Sequence, residues 1–209
     1  MCDQVHTGCG CFKVWNLCYI LGFMFLSDVD ILRYIDKGQI KIDPWDKDQL
    51  QVVGYDLRLH KNFRKFRVGD TTHVDVKEKF DLTELVEVGY GSHIILHPGE
   101  FILGATNEKI SFGNSVAGLL EGRSSLARIG IIMHATAGLF NPGFSGHVTF
   151  EMSNISNLPV KLYVGMRVAQ MVFVPLSSPV SKKYGKRGGK SKYQDQEPPT
   201  ASKIWKDFE

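Results

Sequence analysis

Glu121-Gly122-Arg123-Ser124-Ser125-Leu126-Ala127-Arg128 sets two arginines and two serines on one short helical turn, stopped by Gly130. Backbone N–H groups, hydroxyls and a guanidinium at a helix start make an anion site. A plain helix start with solvated charges is the competing reading, and these residues alone do not choose between them. Downstream, a strand over 146–154 places Val148, Phe150 and Met152 on one face and His147, Thr149 and Glu151 on the other. Glu151 is then either a carboxylate held ready for proton transfer or an ordinary solvent-facing strand residue. Ser181 to Tyr193 reads SKKYGKRGGKSKY, with Lys182, Lys183, Lys186, Arg187, Lys190 and Lys192 among glycines. Such a segment can close over a phosphate chain or remain a solvated basic tail.

Several other chemistries lack their residues. The chain has no G-x-x-x-x-G-K-[ST] loop, no H-E-x-x-H, no G-x-S-x-G elbow, and neither half of the H-x-E and P-C-x-x-C signature of zinc deaminases. His60, His73, His93, His97, His134 and His147 are scattered without ligand spacing. His134, just before Ala135-Thr136-Ala137, is the one that stands near other candidate residues. Cys2, Cys9, Cys11 and Cys18 all fall in the first 18 residues and, with His6, lack the paired spacing of a zinc site. A disulfide framework would spread its cysteines, so the body of the chain suits a reducing, cytoplasmic setting. Val14 to Leu26 is an apolar run of 13 residues, short of the roughly 20 needed to span a bilayer. No export signal accompanies it. The net charge of +3 is too mild to argue for nucleic acid or a membrane surface, so any phosphate preference is local.

The elements that must position these residues are mostly strands. The 209 residues, 43% hydrophobic and 22% charged, suit one globular domain with appended segments. Ser27-Asp28-Val29-Asp30 has capping-box form, and Val29, Ile31, Leu32 and Ile35 extend a helix over 27–37 to Gly38. From Val53 to His60 the pattern alternates with period two. Further strands are expected over 63–68, 73–76, 93–96, 100–106, 115–120, 146–154, 160–163 and 167–175, separated by turns such as Pro98-Gly99 and Asn141-Pro142-Gly143. Many short strands at such spacing mean a mainly β barrel or sandwich with a few short helices. The expected division is an extension over 1–23, a catalytic β domain over 24–180 and a closing tail over 181–209.

EGRSSLARIG, then TAGLFNPGFSGHVTFEMSN, then KYGKRGGKSKYQDQ, in that order, resemble the deoxycytidine triphosphate (dCTP) deaminase family, a branch of the trimeric deoxyuridine triphosphatase superfamily. The resemblance implies a distorted β-barrel or jelly-roll subunit in a homotrimer with active sites between subunits. It implies a dCTP or dUTP substrate carried with magnesium and no zinc, and thymidine triphosphate as a possible feedback inhibitor. On the same ground Glu151 matches the general acid/base, and Ser124 and Arg128 the residues that position water and glutamate. Arg123, Ser124 and Ser125 match triphosphate contacts, with Leu126 and Ala127 in the same motif. Asn141 matches a sugar contact, Thr149 and Phe150 the base pocket, and Gln170, Tyr184, Lys192 and Gln196 further nucleotide contacts. The first expectation is zinc-independent deamination of dCTP to dUTP and ammonia. A bifunctional enzyme that also cleaves dUTP to dUMP and pyrophosphate, or a diphosphatase like the deoxyuridine triphosphatases, is the alternative, alongside a non-catalytic nucleotide-binding module. Gly138-Leu139 resembles the bifunctional branch, whereas Asn141 stands where both branches usually carry Asp, and an amide is no general base.

Overall fold

Ser27 caps the first helix: its Oγ accepts the N–H of Asp30 at 3.4 Å, opening α1 (Asp28–Asp36). The computed structural model describes residues 24–67, 69, 72–185 and 191–209. Of the apolar stripe on α1, Ile31 is fully buried while Val29 and Leu32 stay exposed. The cysteines and His6 lie outside the described residues, as do Lys186, Arg187 and Lys190 of the tail.

The strands are β1 (Ile40–Asp43), β2 (Leu50–Gln51), β3 (Gly54–Arg58), β4 (Asn62–Phe66), β5 (Thr83–Glu87), β6 (His93–Leu96), β7 (Phe101–Phe112), β8 (Val116–Gly122), β9 (Ile131–Ile132), β10 (Leu139–Phe140), β11 (Ser145–Asn154), β12 (Val160–Tyr163) and β13 (Arg167–Pro175). One turn of helix, α2 (Ser124–Ala127), interrupts them. One sheet runs β5-β4-β7-β11-β9, with β1 also paired to β7, and a second runs β10-β8-β13-β3-β2. β12 and β6 form a separate pair, and every pairing between these strands is antiparallel.

The two large sheets share one core. Ile102, Ile110, Val148, Phe150 and Met152 from the first meet Tyr55, Leu57, Leu120, Met171 and Phe173 from the second. Burying each such side chain contributes about 1.5–3 kcal/mol. The sheets touch directly where the Phe112 and Phe173 rings lie 6.0 Å apart. Gly118 permits that approach, since a Cβ there would sit 2.5 Å from the Phe112 ring. The expected mainly β architecture with few helices is therefore the one observed, with two corrections. Residues 73–76 form no strand and lie exposed in the connection before β5. β1 and β5, by contrast, are short strands that no long alternation announces. Among the described residues no helix is long and apolar enough to cross a membrane.

Candidate functional site

β11 carries the pattern that builds the site. Its burial alternates strictly, so Val148, Phe150 and Met152 enter the core while His147, Thr149 and Glu151 face outward. Outward here does not mean into bulk water. Thr149 and Glu151 line a cavity of about 490 Å³ whose walls include Phe101, Leu103, Leu139, Phe140 and Phe144. One Glu151 oxygen accepts the N–H of Ala135 at 2.9 Å, which fixes the carboxylate against the segment that follows β9. Thr149 Oγ1 is buried in the same wall without a protein hydrogen-bond partner. A ligand polar group would satisfy it.

The turn between β10 and β11 brings Asn141 to the same cavity, and the tail brings Tyr184 and Gln196. Gly143 has φ +92°, a left-handed conformation that favours glycine. It lets the tail lie close: the N–H of Tyr184 donates to the Pro142 carbonyl at 2.8 Å. Gln196 is held by its Nε2, which donates to the His147 carbonyl at 2.6 Å, and the neighbouring Asp195 N–H donates to Ser145 O at 2.7 Å. Thr200, Ala201 and Ser202 complete the roof.

The other expected residues sit elsewhere on the chain. Arg123 caps α2 by position, without a side-chain cap bond, and Ser124 and Ser125 open the turn. The Arg123 guanidinium donates to Asp56 at 2.5 Å, and Arg167 donates to the same oxygen at 3.3 Å. Gln170 is in register with Asp56 on one side and Glu121 on the other, which sets it beside this cluster. Arg128 lines a separate groove with Ile129, Gly130 and residues 156–161. None of Arg123, Ser124, Ser125, Leu126, Ala127, Arg128 or Gln170 lines the cavity of Glu151. One chain thus holds the carboxylate-bearing cavity and the arginine-serine turn apart.

Three expected contacts need correction in detail. The Phe150 side chain is fully buried in the core, so only its backbone can face a ligand. Leu126 is likewise buried and serves packing. Lys192 is outside the cavity lining, its ammonium paired with Asp207 of the C-terminal 3-10 turn Ile204–Asp207. Sequence reasoning missed Asp56, whose period-two position pointed outward; it is 3% exposed because Arg123 and Arg167 cover it. It also missed Phe66, Phe80, Asp81, Thr83 and Tyr193 of the cavity wall. Partial burial works against the Asp81 charge, but hydrogen bonds from Thr83 and Arg64 outweigh it and hold the carboxyl below its ordinary range.

A family model described as dCTP deaminase-like matches residues 25–176. A protein of Corynebacterium kroppenstedtii named dCTP deaminase, dUMP-forming, is 49% identical over 186 residues, covering 88% of this chain and 100% of that one. A protein of the same name from Bifidobacterium longum is 48% identical over 186 residues, covering 88% of this chain and 96% of that one. The crystal structure of 2'-deoxycytidine 5'-triphosphate deaminase from Agrobacterium tumefaciens aligns with a TM-score of 0.57 at 18% identity. That alignment spans 73% of this chain and 48% of the other, and at such identity it speaks for the fold alone.

Proposed function

Because the chain belongs to the dCTP deaminase-like family, we propose that it deaminates dCTP and goes on to cleave the product to dUMP and pyrophosphate. One observation carries the chemical part of this reading: Glu151 lines a cavity with its carboxylate held by a backbone N–H. Glu151 takes a proton from a water that attacks C4 of the cytosine ring. It returns that proton to ring N3, then takes the proton of the new C4 hydroxyl and passes it to the amino group, so that C4 becomes a carbonyl, the C4–N bond breaks and ammonia leaves. A positioned carboxylate shuttle of this kind contributes roughly a hundred- to ten-thousand-fold. Thr149 meets the base edge, Asn141 the sugar, and Tyr184 and Gln196 close the cavity from the tail.

The arginine-serine turn supplies what that cavity lacks. Arg123, Ser124 and Ser125 bind the triphosphate, while Ser124 and Arg128 orient the water and Glu151. In one chain they lie outside the cavity, so this reading needs a second copy to present its turn to the first, in a closed ring. The exposed apolar side chains of Ile129, Ile132, Ile155 and Leu158 beside the turn are a surface that such a copy would cover. The described residues contain no cluster of three or more His, Cys, Asp or Glu able to hold an ion. The nucleotide is accordingly written as its magnesium complex, with the ion part of the substrate.

The relatives' printed names favour the dUMP-forming reading over dUTP as final product, which the residues at 138–141 leave balanced. Gly138 fits it sterically. A Cβ there would come within 3.2 Å of the His134 ring, so a bulky residue would reshape this wall. The deciding experiment incubates the full chain with dCTP and magnesium and separates the products by anion exchange. Ammonia, dUMP and pyrophosphate in equal amounts are expected, whereas lasting dUTP would restore the simple deaminase.

A further inference from the structure

Residues 200–202 roof the Glu151 cavity, yet the attachment of this segment to the sheets is sparse. Among the described residues, one hydrogen bond joins residues 198–203 to the strands: Arg64 Nε donates to the carbonyl of Pro199 at 2.9 Å. Pro199 itself is buried. The same guanidinium reaches the cavity wall from its other end, where Nη1 donates to Thr83 Oγ1 at 2.9 Å and to Asp81 at 3.1 Å. Asp81 is itself oriented, since its other oxygen accepts both the N–H and the hydroxyl of Thr83. Arg64, on β4, is therefore a bracket between a preformed wall and the tail.

We propose that Arg64 is a positioning residue, acting through the Pro199 carbonyl to hold the tail closed over Glu151. The inference rests on the reading of this cavity as the nucleotide site. A guanidinium suits the task because its donors point in fixed, divergent directions, so one side chain bonds wall and roof together. A lysine retains the charge but not the fork. The far end of the tail adds a second hold. Lys79 lies 5.6 Å from the Trp205 ring and Lys77 lies 5.9 Å from the Phe208 ring, contacts that are individually weak at exposed positions.

The test compares wild type with Arg64→Met and Arg64→Lys as full-length chains. Trypsin cleavage after Lys203 in the nucleotide-free protein is followed by mass spectrometry, beside the melting temperature. With a charge-assisted bond removed, cleavage speeds up roughly tenfold at nearly unchanged melting temperature, and Arg64→Lys does not restore protection. With dCTP, KM rises by a larger factor than kcat falls. Unchanged cleavage, or full rescue by lysine, would overturn the proposal. A wild type that failed to turn over dCTP would instead sink the functional reading, and the cleavage result would still decide whether Arg64 docks the tail.

Discussion

At the scale of single residues, Glu151 and Asn141 divide the work that the proposed function requires. Both line one cavity, but only Glu151 can accept a proton at neutral pH; the Asn141 amide cannot. In the proposed function the second step, attack of water on the α-phosphate, would therefore proceed without a carboxylate at that place. With dUTP supplied directly, Asn141→Asp is expected to raise the rate of pyrophosphate release by roughly tenfold or more, within the range of a general base. An unchanged rate of pyrophosphate release from dUTP would show that the amide does not limit the second step. Strand alternation put residue 151 on the outward face, and the resemblance made it a candidate. The cavity around it was not readable, because Phe66, Phe80 and Tyr193 line it from positions far along the chain.

At the scale of elements, the tail and the turn at 141–143 form one device. Gly143 allows the Tyr184 backbone to pass, and a Cβ there would lie 2.8 Å from the Tyr184 nitrogen and 2.5 Å from the Lys183 Cβ. Gly143→Ala is expected to lift residues 183–184 off the Pro142 carbonyl and raise KM for nucleotide several-fold. It also lowers the melting temperature by about 2–4 °C for each kcal/mol of strain. Gly99→Ala is the control: its φ is +75° but a Cβ there meets nothing within 4 Å. An equal rise in KM from both would show that backbone strain, not tail contact, is responsible. The long strands were legible because alternation persists through them, as in β11 and β13. β1 and β5 were not, since strands of four or five residues carry little periodicity of their own. The tail's basic composition gave no sign of its docking, which depends on backbone bonds from Ser145, His147 and Pro142.

At the scale of the whole molecule, the separation of the Glu151 cavity from the arginine-serine turn is the central observation. β11 and the tail build the Glu151 cavity, while β3, β8 and β13 hold Asp56, Arg123, Arg167 and Gln170 beside α2. No sequence pattern states whether two motifs meet within a chain or between chains; the separation of the turn from the cavity supports the proposal that they meet between chains. The most direct test mixes two inactive variants, Glu151→Gln and Arg128→Ala, by co-expression, and measures ammonia release from dCTP against each variant alone. Each variant alone is expected to lose at least a hundredfold in rate. The account predicts that random mixed rings regain about a quarter of wild-type activity, because sites pairing an intact Glu151 with an intact Arg128 from another copy reappear. Mixed assemblies no more active than either parent would contradict it.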